Sequence, residues 1–288
     1  MSTLAVIGVG KIGGEIGFVA ALDGLVDDLI LYDVNLPLLA AQVLDIEDCG
    51  LDIRVSTDAA DIREADVCVY AAGVSRNPAV KTRADLLGVN LPIAETCLPL
   101  LRGFTGVFVT VTNPMDLLNY YFAKKAGIPR ERCIGFGGQL DSARFRRILG
   151  ISGISGPGYV LGEHGEHQVP LFHPLRNPVD LETREKILTS LQGASMEIIR
   201  GKGGTIFGPA WHLTRLVKAI LTGGDEPISC SCILEGEYGL SGCSLGMPAR
   251  IGKDGIRRIE EWPLDPWEEA HFREAAAFLT DLSRGLNG

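Results

Sequence analysis

The chain carries seven cysteines, at 49, 68, 97, 133, 230, 232 and 243, and not one Cys-x-x-Cys pair. An odd count without paired spacing excludes a disulfide framework and reads as free thiols. Most of them sit in apolar segments, where cysteine behaves as a small buried hydrophobe. Cys230 and Cys232 alternate along an apolar run and read as core residues on one face, not as metal ligands. No apolar run reaches the roughly 20 residues that a membrane-spanning helix needs. The N-terminus lacks a charged stretch followed by an apolar core and a cleavage site, so the expected location is the cytoplasm. Positive charge is also short: 27 Lys and Arg face 36 Asp and Glu, a net charge of −9. That balance argues against a nucleic-acid binder, which shows a basic face or stripe. Internal repeats and low-complexity linkers are missing as well. What remains is an ordinary globular composition over 288 residues, long enough for two modest domains.

The first half alternates short apolar runs with helical patterns. Leu4 to Gly8, Leu29 to Asp33, Val67 to Ala72, Val107 to Thr112 and Cys133 to Phe136 read as strands. The segments between them are long enough for crossover helices, which implies parallel strands with helices on both faces. Strands buried on both faces are continuously apolar, as Val-Cys-Val-Tyr-Ala-Ala is. From about Gln139 the character changes. A helix over Asp141 to Leu149 leads to short strands around Gly158 to Leu161. Helices follow over Glu182 to Arg200 and Gly208 to Leu221, split by a glycine-rich break. Strands at Ile228 to Leu234 and Ser244 to Ile251 precede a last helix from about Asp265 to Leu286. The fold expected is α/β: an N-terminal doubly wound parallel sheet over 1–138 and a C-terminal α+β domain over 139–288. The junction near Gly137-Gly138 is expected to be tight, with the site in the cleft between the domains.

Gly8-Val9-Gly10-Lys11-Ile12-Gly13 follows the first strand directly and opens a helix. A lone G-x-G-x-x-G says little, but Asp33 ends the second strand 20 residues beyond Gly13, the spacing of a dinucleotide site. Gly8 permits the tight turn, Gly10 admits a pyrophosphate to the backbone, and Gly13 allows close helix–strand packing. The helix N-terminus offers unpaired N–H groups to the phosphates. Asp33 can accept hydrogen bonds from the adenosine ribose and repels a 2'-phosphate, which favours NAD over NADP. The cofactor set expected is Gly8, Gly10, Lys11, Ile12, Gly13, Asp33, Gly73, Asn90, Val111 and Asn113.

A second feature stands out against the acidic composition. Between Val74 and Arg83 the chain holds three cations, Arg76, Lys81 and Arg83, and no acid. The segment follows an apolar strand, so it belongs at the carboxyl end of the sheet, where open α/β folds bind ligands. A solvated loop is the ordinary alternative. His164 is flanked by glycines in Gly162-Glu163-His164-Gly165, on a turn after an apolar strand, and its imidazole suits proton transfer near neutrality. A surface turn histidine is the alternative, and the spacing of the acids and histidines here matches neither HExxH nor HxxEH, so no metal is expected. Asp141 and Arg144 share a helix face at i and i+3, as an ordinary ion pair or as His164's partner and a carboxylate-gripping fork. Asn113, in Val-Thr-Asn-Pro-Met-Asp, ends a strand just before a proline and can point its amide into the cleft, or be a simple turn residue.

Taken in order, these segments resemble the lactate/malate dehydrogenase superfamily. The glycine loop with Asp33, Ala71-Ala72-Gly73, the two-arginine loop, Val-Thr-Asn-Pro-Met-Asp, Leu-Asp-Ser-Ala-Arg and Gly-Glu-His-Gly all occur in the family's order. So do Gly201 to Ala210 and Glu235-Gly236-Glu237-Tyr238-Gly239, and the wording is most similar to archaeal-type, lactate-dehydrogenase-like malate dehydrogenases. The resemblance implies a Rossmann domain that binds NAD and a catalytic domain acting on a 2-hydroxy acid. It implies His164 as acid/base with Asp141 as its partner, and Arg144 as the anchor of the C1 carboxylate. Arg83 polarises the C2 oxygen, and Asn113 hydrogen-bonds it. Arg76 stands where dicarboxylate-specific members carry arginine and lactate-specific ones usually carry glutamine. Thr205 lines the pocket and departs from the malate pattern, since lactate enzymes often carry threonine there. Malate or oxaloacetate is therefore the substrate expected, and lactate the nearest rival. A homodimer or homotetramer is implied, with the helical segment Leu38 to Asp48 as an interface.

Overall fold

The computed structural model describes residues 1–75 and 83–286. Six parallel strands come first: β1 (Thr3–Ile7), β2 (Asp28–Tyr32), β3 (Arg54–Ser56), β4 (Val67–Tyr70), β5 (Val107–Thr110) and β6 (Cys133–Gly135). They lie in the order 3-2-1-4-5-6, the doubly wound arrangement, whose crevice opens at the carboxyl ends of β1 and β4. β4 and β5 are buried along their whole length, as their unbroken apolar sequences require. The strands end one or two residues earlier than their apolar runs, and the residue just past the end still donates to its neighbour, Ala71 N to Ile7 O and Phe136 N to Thr110 O, both at 2.8 Å.

The second half adds β7 (Val160–Gly162), β8 (Gln168–Pro170), β9 (Ile228–Glu235), β10 (Ser241–Gly252) and β11 (Gly255–Ile259). These strands pair antiparallel, and β9 joins β6 through a single residue pair, Gly135 with Ser231. One sheet therefore runs through both halves of the chain. Three strands are absent from the sequence reading: β3 and β8 are three residues long, and β11 carries two consecutive exposed arginines, Arg257 and Arg258, that break its apolar pattern.

Eight α-helices surround the sheet among the described residues: α1 (Lys11–Leu22), α2 (Leu36–Glu47), α3 (Arg83–Cys97), α4 (Met115–Ala126), α5 (Gly138–Ile151), α6 (Leu181–Lys202), α7 (Phe207–Thr222) and α8 (Pro266–Arg284). Side chains place several starts. Asp180 caps α6 by accepting from the Thr183 N–H at 2.9 Å. Asp265 and Glu268 form a reciprocal capping box at α8, with Asp265 accepting from Glu268 N and Glu268 from Asp265 N. Glu268 is fully buried, and its other bonds, to Phe172 N at 2.6 Å and His173 N at 2.8 Å, tie the helix to the chain after β8.

The main core is continuous from β1 to α8. At its centre Tyr70, Phe108 and Phe122 pack with ring centroids 4.6 and 4.7 Å apart. Removing such a buried ring costs about 3–5 kcal/mol. A smaller cluster around Phe145, Phe172 and Leu191 holds α5 and α6 together. Six of the seven cysteines are buried and all are free; Cys49 is exposed. Cys230 and Cys232 sit in the core with sulfurs 3.7 Å apart.

Candidate functional site

The glycine loop closes on the strand next to it. Gly8 has φ 91°, which favours glycine, and a Cβ there would run into the Ala72 backbone at the end of β4. At Gly13 a Cβ would strike the Gly8 carbonyl oxygen, so glycine is what lets α1 start this close to β1. Gly10 differs from both. It caps α1, and nothing lies within 4 Å of where its Cβ would be. The loop is thus packed on one side and open on the other, where the unpaired N–H groups of α1's first turn point.

Asp33 stands beside this open side. Its Oδ2 accepts the Val9 N–H at 2.9 Å and its Oδ1 accepts the Asn35 N–H at 2.9 Å. Each carboxylate oxygen keeps a further lone pair for a ribose hydroxyl. Lys11 and Ile12 form the first turn of α1, with Lys11 exposed and Ile12 half-buried. The residues therefore fit a dinucleotide: a bare backbone cradle for the phosphates and an acid for the ribose.

The opposite wall is built from Gly73, Asn90, Val111 and Asn113. Asn90 is fully buried, and its amide is committed to the chain. It accepts the Val74 N–H at 2.8 Å and donates to the carbonyls of Val74 at 3.0 Å and Asn113 at 2.6 Å. The structure thus makes Asn90 a brace under the loop that starts at Gly73. A Cβ on Gly73 would meet Thr112 and Asn90, so that turn, too, is fixed by close packing. Val111 continues from β5 with its N–H on the Tyr70 carbonyl at 2.9 Å. Asn113 precedes a cis Pro114, is half-buried, and accepts the Met115 N–H at 3.3 Å. The segment with Thr205 approaches from the other half, because a Cβ on Gly203 would lie 3.9 Å from Lys11 Nζ.

Three predicted residues meet at the mouth of α5. His164 Nδ1 lies 2.6 Å from Asp141 Oδ2, and Arg144 Nη1 donates to Asp141 Oδ1 at 3.1 Å. The Asp141 side chain is 2% exposed, while His164 and Arg144 keep 18% and 11%, enough to reach a ligand. Burial pushes the Asp141 carboxyl up, but His164, Arg144 and a hydrogen bond from Gln168 together hold it below its ordinary value. Asp141 is therefore ionised, and its oxygen orders the imidazole with the proton on Nδ1. Among the described residues Asp141 engages one nitrogen of Arg144, which leaves the guanidinium's other edge for a carboxylate.

The two arginines of the cationic loop fall differently. Arg76 and Lys81 lie outside the described residues, and Arg83 opens α3. Its position at the helix start puts it after the crossing from β4, on the carboxyl side of the sheet.

Four residues of this site carried no role in the sequence reading. Gln168 on β8 supports Asp141, and only a buried amide in an apolar run hints at it. A Cβ on Gly137 would lie 2.5 Å from His164 Cγ, so this glycine admits the imidazole to α5. Asp116, in the first turn of α4, accepts the His164 N–H at 2.9 Å, and Ser231 on β9 donates to Asp116 at 2.5 Å. An acid inside an apolar helix start was the visible signal for Asp116. Nothing in sequence distinguishes Ser231 from its neighbours.

Comparison with known proteins agrees with this geometry. Residues 2–135 match the lactate/malate dehydrogenase NAD-binding domain, and residues 138–284 match the lactate/malate dehydrogenase alpha/beta C-terminal domain. A malate dehydrogenase of Halobacterium salinarum is 38% identical over 97% of this chain and 98% of its own. An L-lactate dehydrogenase of Halalkalibacterium halodurans is 32% identical over 98% of this chain and 97% of its own. The solved malate dehydrogenase of Archaeoglobus fulgidus in complex with NADH superposes with a TM-score of 0.90 at 30% identity, covering 99% of this chain and 100% of that one. With two family domains spanning nearly its whole length and a fitting nucleotide cradle, the chain belongs to the lactate/malate dehydrogenase family and is an NAD-dependent dehydrogenase.

Proposed function

We propose that the protein is a malate dehydrogenase, interconverting (S)-malate and oxaloacetate. The observation that carries the reading is the His164–Asp141–Arg144 constellation at the cleft, joined to a second guanidinium, Arg76, in the sequence between β4 and α3. Two separated guanidinium groups suit a substrate with two carboxylates. The 38% identity to the Halobacterium salinarum malate dehydrogenase supports the same choice over the 32% to the lactate enzyme. Thr205 favours lactate and is the specific observation behind that second reading.

Bound NAD supplies the hydride acceptor in the oxidising direction. Arg144 grips the C1 carboxylate and Arg76 the distal one. His164 Nε2 takes the C2 hydroxyl proton, and Asp141 stabilises the imidazolium that results. In the reducing direction the imidazolium returns that proton to the C2 oxygen, whose developing charge Arg83 stabilises with help from Asn113. Exclusion of water from the cleft strengthens each charge contact. Replacing Arg83 by Gln is expected to lower kcat roughly 100-fold or more, the effect of losing a transition-state donor. Steady-state kinetics with normal turnover in this variant would remove Arg83 from the mechanism.

The direct test follows NADH absorbance with purified protein, offering oxaloacetate and pyruvate in parallel. Rapid oxidation with oxaloacetate alone supports the malate reading. A preference for pyruvate moves the enzyme to lactate and leaves the NAD site and the His164–Asp141 pair standing.

We divide the chain into a nucleotide domain over 1–138 and a catalytic domain over 139–288, acting in the cytoplasm as a homodimer or homotetramer. Leu36 and Leu44 on α2 and Phe207 and Trp211 on α7 are all more than half exposed, which supports burial against a second copy. No helix among the described residues is long and apolar enough to cross a membrane.

A further inference from the structure

A chain of buried hydrogen bonds crosses the seam where the two halves of the sheet join. Thr110 Oγ1 on β5 donates to Asn119 Oδ1 on α4 at 3.2 Å. Asn119 Nδ2 donates to Ser244 Oγ on β10 at 2.9 Å. Ser244 and Ser231 hydroxyls are 2.8 Å apart, and Ser231 donates to Asp116 Oδ1 at 2.5 Å. All five side chains are at most 3% exposed. The direction follows from the carboxylate. Ser231 spends its single proton on Asp116, so between the two hydroxyls Ser244 is the donor, while its own oxygen also accepts from Asn119. The carboxylate is the acceptor at the end of a one-way relay.

Its other oxygen, Oδ2, accepts the backbone N–H of His164 at 2.9 Å. The turn is held from within as well. Glu163, also buried, accepts the N–H groups of Glu166 at 2.6 Å and His167 at 2.9 Å. A cavity of about 10 Å³ lies between Asp116, Asp141, Glu163, His164 and Ser231, room for one water at most.

We propose that Asp116 is a positioning residue for the reaction: it fixes the peptide that carries His164, and so the imidazole's approach to Asp141 and to substrate. The inference rests on the reading of His164 as the proton carrier. The residue type follows from the geometry. Two donors arrive on two different oxygens, and Asn has only one oxygen to offer. An Asn at 116 would set its NH2 against either the Ser231 hydroxyl or the His164 N–H. Retaining a carboxylate here is costly: burial first, then the nearby Glu163, push Asp116 up to about 6, while Ser231 and the His164 N–H pull it back only in part. Among the described residues, the groups that face Asp116 are Glu163 and His164 on the turn, Ser231 on β9 and Cys243 on β10, with no lysine or arginine among them.

The test uses the full-length enzyme with NADH and its preferred oxo acid. Asp116→Asn is expected to lower kcat roughly 10- to 100-fold, the scale of a small misplacement in a site. The oxo-acid KM and the NADH Kd should stay within about 3-fold, and Tm at pH 8 should not fall, because a costly buried charge has gone. Asp116→Asn combined with Ser231→Ala frees the single oxygen for His164 and should return kcat to within about 3-fold of Ser231→Ala alone. An unchanged kcat in Asp116→Asn overturns the proposal. So does a double variant as slow as the single one, or a loss of NADH affinity and Tm along with kcat. His164→Asn is measured beside them. If it keeps full turnover, the acid–base reading fails and the inference with it; if it is inactive while Asp116→Asn is normal, only the inference fails.

Discussion

Asp141→Asn is expected to lower kcat by roughly 10²–10⁴-fold while leaving NADH affinity nearly unchanged. The substitution is almost isosteric, so the loss comes from protons and not from packing. Arg144 Nη1 donates to Asp141 Oδ1, and an Asn side chain keeps its oxygen on that partner. Its NH2 then faces His164 Nδ1, which at 2.6 Å is held as a donor in the native site. To avoid two opposed donors the imidazole must move its proton to Nε2. The nitrogen that should accept the substrate's proton is then already occupied. In the reducing direction the imidazolium loses the buried negative charge that stabilised it. NADH affinity is set on the other side of the cleft, by the Gly8–Gly13 loop and Asp33, which this change does not touch. Stopped-flow turnover with NADH fluorescence titration separates the two quantities. A variant with wild-type kcat would show that Asp141 does no more than pair with Arg144.

The same substitution has a signature in stability. The folded-state pKa of Asp141 is held below its ordinary value of 3.8, despite burial, by His164, Arg144 and Gln168. A group of this kind contributes stability above its unfolded pKa, and that contribution is lost as pH falls through the folded value. The wild-type protein should therefore lose this increment on acidification below about pH 4, and Asp141→Asn should lack it at every pH. Urea midpoints at pH 7 and pH 3.5 report the difference.

The parts of this molecule that were legible in sequence are those where one residue's surroundings lie close along the chain. Gly8 supplies the φ of 91°, Gly10 caps α1, Gly13 makes room for the Gly8 carbonyl, and Asp33 follows the next strand, so the nucleotide site follows from about 25 residues of sequence. β4 and β5, buried on both faces, are unbroken apolar runs. Asp141 and Arg144 are one helical turn apart and their contact needs no tertiary knowledge. What stayed hidden depends on pairings across the chain. Ser231 acquires its role only because β9 docks on β6 at Gly135 and brings its hydroxyl to Asp116, 115 residues away. Asn90's bracing of the loop after β4 is visible only once the fold delivers three backbone groups to it. Gly137 reads as part of a tight domain junction, yet what demands glycine there is the ring of His164.

Arg76→Gln is expected to move the ratio of kcat/KM for oxaloacetate over pyruvate toward pyruvate by roughly 100-fold. Oxaloacetate brings two carboxylates, and Arg144 beside Asp141 has an edge for one of them. The second needs its own cation, because a carboxylate left unpaired in a water-poor cleft costs several kcal/mol. Pyruvate brings a methyl group to the same place. Opposite that methyl an arginine would itself be the unpaired buried charge, so Arg76 in this role would exclude pyruvate for the same reason that it would admit oxaloacetate. Glutamine reverses both effects at once, which is why the ratio should respond more than either rate constant. Removing a charged partner of this kind costs about 2–5 kcal/mol in buried pairs, and about 2.7 kcal/mol corresponds to the 100-fold expected. The proton machinery is untouched, so kcat with saturating oxaloacetate should fall less than kcat/KM. A ratio that stays within about 3-fold would mean that the distal carboxylate is held elsewhere, and the pocket around Thr205 would then be the place to look for the selector.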